Sequence, residues 1–185
     1  IAIIFGLLSF VSYLVEGAVG DWSALYLFED KGIVIQEAVM GVMLFNGTMC
    51  IGRLLGNTIG KHVTSKQVVV GGYLLGAIAM ALIVFLPGHA SMYTYLLLGI
   101  SLAMVVPNLF SAMGEQNVIP MTQAVATSTM LGYMGILMGP ALIGFIAHGT
   151  SLTIAFIVLT VLLVISAGIG KYAYYLMNKN CGVEE

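Results

Sequence analysis

Two carboxylates, Glu16 and Asp21, stand inside an apolar stretch that runs over residues 1–28. A charge at that depth in hydrocarbon is costly, and residues of this kind mark solute pathways, proton relays or paired charges. Glu16 belongs to a polar series: Ser9, Ser12, Glu16, Gly20 and Ser23 recur at steps of three and four residues. A helix places them on one face. Desolvation disfavours the charged form of a carboxyl group, and a nearby cation or solute reverses that preference. Glu16 is therefore the candidate proton acceptor, and the serine face, Ser12 included, is the candidate lining of a cavity. Asp21 lies about 140° around the same helix, because five residues advance about 500°. It is a second candidate for proton coupling, or a partner for a neighbouring helix or external water. The alternative role of Glu16 is a structural carboxyl hydrogen-bonded within the bundle.

Asn46, Asn108 and Tyr133 also fall inside apolar runs. Amides and phenols carry donors and acceptors suited to polyols and similar solutes, which makes these three candidate cavity residues. The alternative is interhelical hydrogen bonding, worth about 0.6 kcal/mol per bond on average in membranes. Enzymatic chemistry has no comparable support. His62, His89 and His148 lie at the ends of apolar runs, and no HExxH metal motif, GxSxG elbow or P-loop occurs. Cys50 and Cys181 have neither the number of a disulfide framework nor the spacing of a metal site. No catalytic residue, metal or cofactor is expected.

The elements that hold these residues follow from composition. Charged residues make up 8% of the chain, hydrophobic residues 60%, and the mean hydropathy is +1.06; a water-soluble domain carries about 25% charged residues. The lipid bilayer is the expected solvent. A net charge of -2 and the lack of a basic, aromatic-interleaved stripe exclude a nucleic-acid partner. A hydrocarbon core about 30 Å thick needs roughly 20 apolar residues per helix, and six runs qualify: 1–28, 35–60, 67–86, 91–114, 122–148, and one from 152 to about 176. Short connections make neighbours antiparallel. Continuous apolar runs exclude the alternation of a β-barrel, so the expected fold class is an all-α membrane protein, one six-helix domain over residues 1–185.

Both ends then share one side. That side holds Arg53, Lys61, Lys66, Lys171 and Lys179, against Lys31 opposite, and cationic loops stay cytoplasmic. Both termini are expected in the cytoplasm. Trp22, Tyr26, Tyr93 and Tyr95 are expected at the outer headgroup level, and Tyr172, Tyr174 and Tyr175 at the inner one. The chain opens on Ile1 with no basic stretch ahead of its first apolar run, so a piece cut from a longer protein is expected.

Many of the 23 glycines lie in the runs and not between them, as in Gly71, Gly72 and Gly76, and in Gly132, Gly135, Gly139 and Gly144. Small residues are the contact surfaces of helices in lipid. Pro107 and Pro140 each remove a backbone hydrogen bond and bend their helices. The stretch Gly52, Arg53, Leu54, Leu55, Gly56, Asn57, Thr58, Ile59, Gly60, Lys61, His62 is similar to the cytoplasmic motif of the major facilitator superfamily: glycine, leucine, aspartate, basic residue, glycine, basic residue. Asn57 stands at the aspartate position, Thr58 at the first basic one, and the leading glycine is one residue out of step. These departures resemble the copy in the family's C-terminal half. Gly135, Gly139, Pro140 and Gly144 are similar to the glycine and proline pattern of the family's fifth helix and its eleventh-helix counterpart. The run 16–23 resembles the seventh helix of bacterial members related to sugar:proton symporters.

The resemblance implies helices seven to twelve of a twelve-helix carrier of the bacterial inner membrane. Its partners are the lipid bilayer, an N-terminal six-helix half, protons, and a small polar solute, sugar-like or another metabolite, moved by alternating access. It also implies a cytoplasmic gate at Gly52, Arg53, Asn57, Gly60, Lys61 and Glu115, with Glu115 to Arg53 as the expected charge contact. A drug or metabolite efflux antiporter half is one alternative, and a six-helix channel or assembly subunit another. A channel calls for charge rings or a filter loop, whereas helices interrupted by glycine and proline suit alternating access.

Overall fold

A computed structural model of the chain describes residues 2–59, 63–115 and 120–181. Among these residues there are eight helices and no strand: α1 (Ala2–Glu29), α2 (Ile35–Ile59), α3 (Ser65–Phe85), α4 (Gly88–Tyr93), α5 (Tyr95–Ala103), α6 (Val105–Glu115), α7 (Met121–Gly149) and α8 (Leu152–Cys181). Grouping α4 to α6 leaves six helical units long and apolar enough to cross a membrane, the fourth being Gly88–Gly114. The all-helical, six-span fold class stands.

The fourth span is broken where the sequence suggests one bent rod. Pro107 has no N–H for the carbonyl of Ala103, and α5 ends there, with Met104 between it and α6. At the earlier break Thr94 donates its hydroxyl to the Ala90 carbonyl at 2.9 Å, a back-bond that competes with the helix ladder and bends it. Both ends of α3 are capped. Thr64 and Gln67 form a reciprocal capping box at the start of α3. At the far end of α3, Lys31 donates to the Val84 and Leu86 carbonyls at 2.6 and 2.9 Å, placing a cation on the negative pole of that helix. Partial burial pulls the Lys31 ammonium below the usual lysine range, with Asp30 opposing. Gly32, at φ +67°, allows the chain to turn from α1 into α2.

α1 is the hub: it packs most extensively on α7, and also on α2, α6 and α8, while α3 packs on α8, α5 and α6. The core joins Phe5, Leu8 and Tyr26 of α1 to Phe45, Tyr73, Tyr95 and Phe156. Tyr26 stacks on Phe156 at 4.4 Å between centroids. Tyr26 and Tyr95 are therefore core residues, whereas Tyr93, Tyr172 and Tyr175 are exposed. Tyr174 is buried, with its ring edge-on to Phe5.

The contact between α1 and α7 is backbone on backbone. A Cβ added to Gly135 would meet the Phe10 carbonyl, one on Gly139 the Leu14 carbonyl, and one on Gly17 the Ile136 carbonyl. Ile136 is the residue whose carbonyl Pro140 cannot serve, and that acceptor faces Gly17, whose missing Cβ leaves room for it. Gly135→Ala and Gly139→Ala should each destabilise the intact protein by about 1–3 kcal/mol, read as the unfolding midpoint in detergent. Gly71→Ala, with open space around it, should be neutral or stabilising by up to about 1 kcal/mol. Equal effects at the three positions would remove the seam.

Candidate functional site

Glu16 falls at the middle of α1, between the flanks held by α2 and α7. Arg53 of α2 places its Nη2 at 3.1 Å from Oε1 and 3.3 Å from Oε2 of Glu16, with side-chain exposures of 44% for Arg53 and 12% for Glu16. One nitrogen thus spans both carboxylate oxygens. One turn earlier, Tyr13 stacks on Tyr133 of α7, with rings 6.5 Å apart and 7° from parallel. Tyr133 is 66% exposed. Read across the bundle, Tyr133, Tyr13, Glu16 and Arg53 form a polar strip that crosses from α7 over α1 to α2 on the open side of these helices. It carries one acid, one cation and two phenols, and can bind a proton and a polar or charged group side by side.

The serines of α1 do not join it. Ser9, Ser12 and Ser23 are fully buried. Ser12 Oγ lies 2.8 Å from the Tyr73 hydroxyl, which donates to the Leu8 carbonyl at 2.7 Å. Ser12 ties α1 to α3 and does not line an open cavity. Four residues advance about 400°, and that 40° offset from Glu16 turns Ser12 to α3. Gly20 is exposed, as is Asp21, which has no hydrogen-bond or ion-pair partner among the described residues.

The amides are also locally spent. Asn46, exposed on α2, donates Nδ2 to the Val42 carbonyl at 3.0 Å, and half-buried Asn108 donates to the Met104 carbonyl at 2.8 Å. Neither bond bridges two helices, and each leaves the amide oxygen as an acceptor. Among the gate residues, Gly52 is buried where α2 packs on Ile100 and Ala103 of α5. The side chains of Asn57 and Glu115 lie outside the described residues, as do Gly60 and Lys61 entirely. The partner of Arg53 among the described residues is Glu16, which brings Arg53 into the intramembrane strip.

Trp22 is likewise drawn inward. Its Nε1 donates to the Pro140 carbonyl at 2.9 Å, and its ring fills the notch left by Gly144. Beyond it a cleft of about 460 Å³ opens between α1, α7 and α8, lined by Trp22, Glu29, Asp30, His148 and Ser151. Asp30 there accepts from Thr153 at 3.2 Å. No group of three metal-ligating side chains occurs among the described residues. Sequence reasoning missed Tyr13 and Tyr73; the available signal for Tyr13 was its position one turn before Glu16.

No family model matches the sequence. An uncharacterized MFS-type transporter of Yersinia pestis is 41% identical over 152 residues, which are 82% of this chain and 40% of that protein. Membrane protein MosC of Rhizobium meliloti is 30% identical over 151 residues, 81% of this chain and 37% of its own length. The fosmidomycin resistance protein of Escherichia coli is 26% identical over 155 residues, 81% of this chain and 37% of that protein. The chain spans about two fifths of the length of these curated relatives.

Tyr73→Phe leaves the buried Ser12 hydroxyl and Leu8 carbonyl without their partner and should destabilise the intact protein by about 1–3 kcal/mol. Adding Ser12→Ala should cost less than the two single changes summed, because the second removes a group the first has already orphaned. Additive losses of thermal stability would show that the two hydroxyls are uncoupled.

Proposed function

Because the chain belongs to the major facilitator superfamily, we propose that residues 1–185 are helices seven to twelve of a secondary active transporter, its C-terminal half. It moves a small polar solute by alternating access, and Glu16 takes the coupling proton. The single observation that carries this reading is the Glu16–Arg53 ion pair, set at the middle of a membrane span on the open side of α1 and α2. Charged, Glu16 attracts Arg53 and holds α2 to α1; protonated, it loses that Coulomb attraction and frees α2 to move. The broken fourth span and the bend site at Pro140 supply places where helices can flex without losing the α1–α7 contact. The N-terminal half would close the strip from the other side.

Orientation follows the basic residues. Lys66 begins α3 and Lys179 ends α8 at one end of the bundle, with Lys171 two turns inward, whereas Lys31 at the other end is spent on α3. That distribution supports cytoplasmic termini in a bacterial inner membrane. Export is the second reading, favoured by the name of the Escherichia coli relative; the same strip would then serve an antiporter.

Glu16→Gln in the intact transporter should reduce proton-driven uptake by about tenfold or more, as expected when a proton-transferring group is lost, with membrane insertion unchanged. Solute counterflow, which needs no proton gradient, should persist. Full proton-driven uptake in the variant would remove Glu16 from the coupling role, and absent counterflow in wild type would replace the carrier by a channel.

A further inference from the structure

We propose that Arg53 is the binding residue for an anionic group of the solute, a carboxylate, phosphate or phosphonate, and that it becomes available when Glu16 is protonated. This inference rests on the carrier reading above and narrows its solute from polar to anionic. The geometry carries it. Arg53 meets Glu16 through Nη2 alone, one nitrogen across two oxygens. Its Nε and Nη1 have no acceptor among the described residues, so no described residue spends the larger part of the donor fork that matches an oxyanion. The guanidinium is also far more exposed than the carboxylate it holds. A mere counterion for Glu16 has no need to present that fork to the open side of the strip.

Charge balance gives the coupling. Without solute, Glu16 and Arg53 together are neutral. With one proton on Glu16 and one monoanion on Arg53, the site is neutral again, so neither form places a net charge at membrane depth, where an unpaired charge is expensive. A proton alone leaves Arg53 unpaired, and an anion alone leaves two negative groups competing for one cation. Proton and anion therefore raise each other's affinity by the same factor. The groups facing Glu16 are few: Arg53 from α2 is the one ionised side chain bonded to it among the described residues. Tyr13 on α1 and buried Tyr73 on α3 are its titratable neighbours, with Tyr133 of α7 beyond Tyr13. Tyr13 and Tyr133 can donate to an oxyanion in the same strip, the Tyr73 hydroxyl is spent on the Leu8 carbonyl, and none of the three competes with Arg53 for its charge.

The test uses the purified full-length transporter. Acetate, lactate, dimethyl phosphate and monomethyl methylphosphonate, each a monoanion in both buffers, are compared with neutral acetamide and propane-1,2-diol, reading the ligand-induced rise in melting temperature in mildly acidic and mildly alkaline buffer. At least one anion should stabilise wild type, with an apparent affinity about tenfold or more higher in acid, within the usual range of site coupling. Glu16→Gln should bind that anion equally well in both buffers. Arg53→Gln should not bind it, nor should the doubly neutral Glu16→Gln/Arg53→Gln variant, which leaves no unpaired charge to impair folding. Stabilisation by none of the anions overturns the proposal, as does anion binding that survives in the double variant or pH dependence that survives in Glu16→Gln. A pH-dependent response to the neutral compounds alone overturns it too, yet leaves the proton-coupled carrier standing.

Discussion

The seam where α1 lies backbone to backbone on α7 sets the register of everything polar in this bundle. Hydrocarbon gives helices no hydrophobic reason to associate, so contact depends on dispersion and weak Cα–H···O interactions, which are significant only at close approach. Gly17, Gly135 and Gly139 provide that approach. Pro140 then acts twice on α1. Its missing N–H leaves the Ile136 carbonyl for Gly17, and its own carbonyl receives the Trp22 indole. With α1 fixed at these levels, Tyr13 is opposite Tyr133, and Glu16 is presented on the flank that faces α2.

Span number and fold class were legible because they depend on composition and length alone, and both follow from the solvent. The glycines of α7 were legible for a similar reason: clustering on a lipid-embedded helix has few other uses. What a sequence does not carry is the rotation of one helix against the next. Ser12, Glu16 and Ser23 share a face by spacing, yet that face straddles the α3 contact and the open side, and two of the three went into the core. The asparagines make the complementary point. An amide in lipid needs a partner, and the nearest one, the carbonyl a turn back in its own helix, is invisible to any argument about neighbouring helices.

Arg53 reaches Glu16 for a directional reason that residue counting does not carry. Counting residues puts it near the C-terminal end of α2, and family resemblance reinforces a gate at that end. Side chains on a helix, however, lean toward its N-terminus. In α2 that direction points from the span's end back toward its middle, and the length of an arginine carries the guanidinium far from its own Cα. Glu16 leans the other way along antiparallel α1. The two side chains converge, although their backbone positions lie at different depths.

That convergence also explains why acid and base occur together. Either charge alone at this depth would need water, lipid rearrangement or loss of its charge. As a pair they present a dipole, and a single η nitrogen set across both oxygens serves the carboxylate. At the opposite end of the same hairpin, Lys31 is bound to two carbonyls of α3, an arrangement with no ionisable partner to release it. On the proposed proton-coupled reading, the hairpin of α1 and α2 is fastened at its turn by Lys31 and conditionally at its middle by Glu16 and Arg53, and a proton on Glu16 releases the second fastening alone.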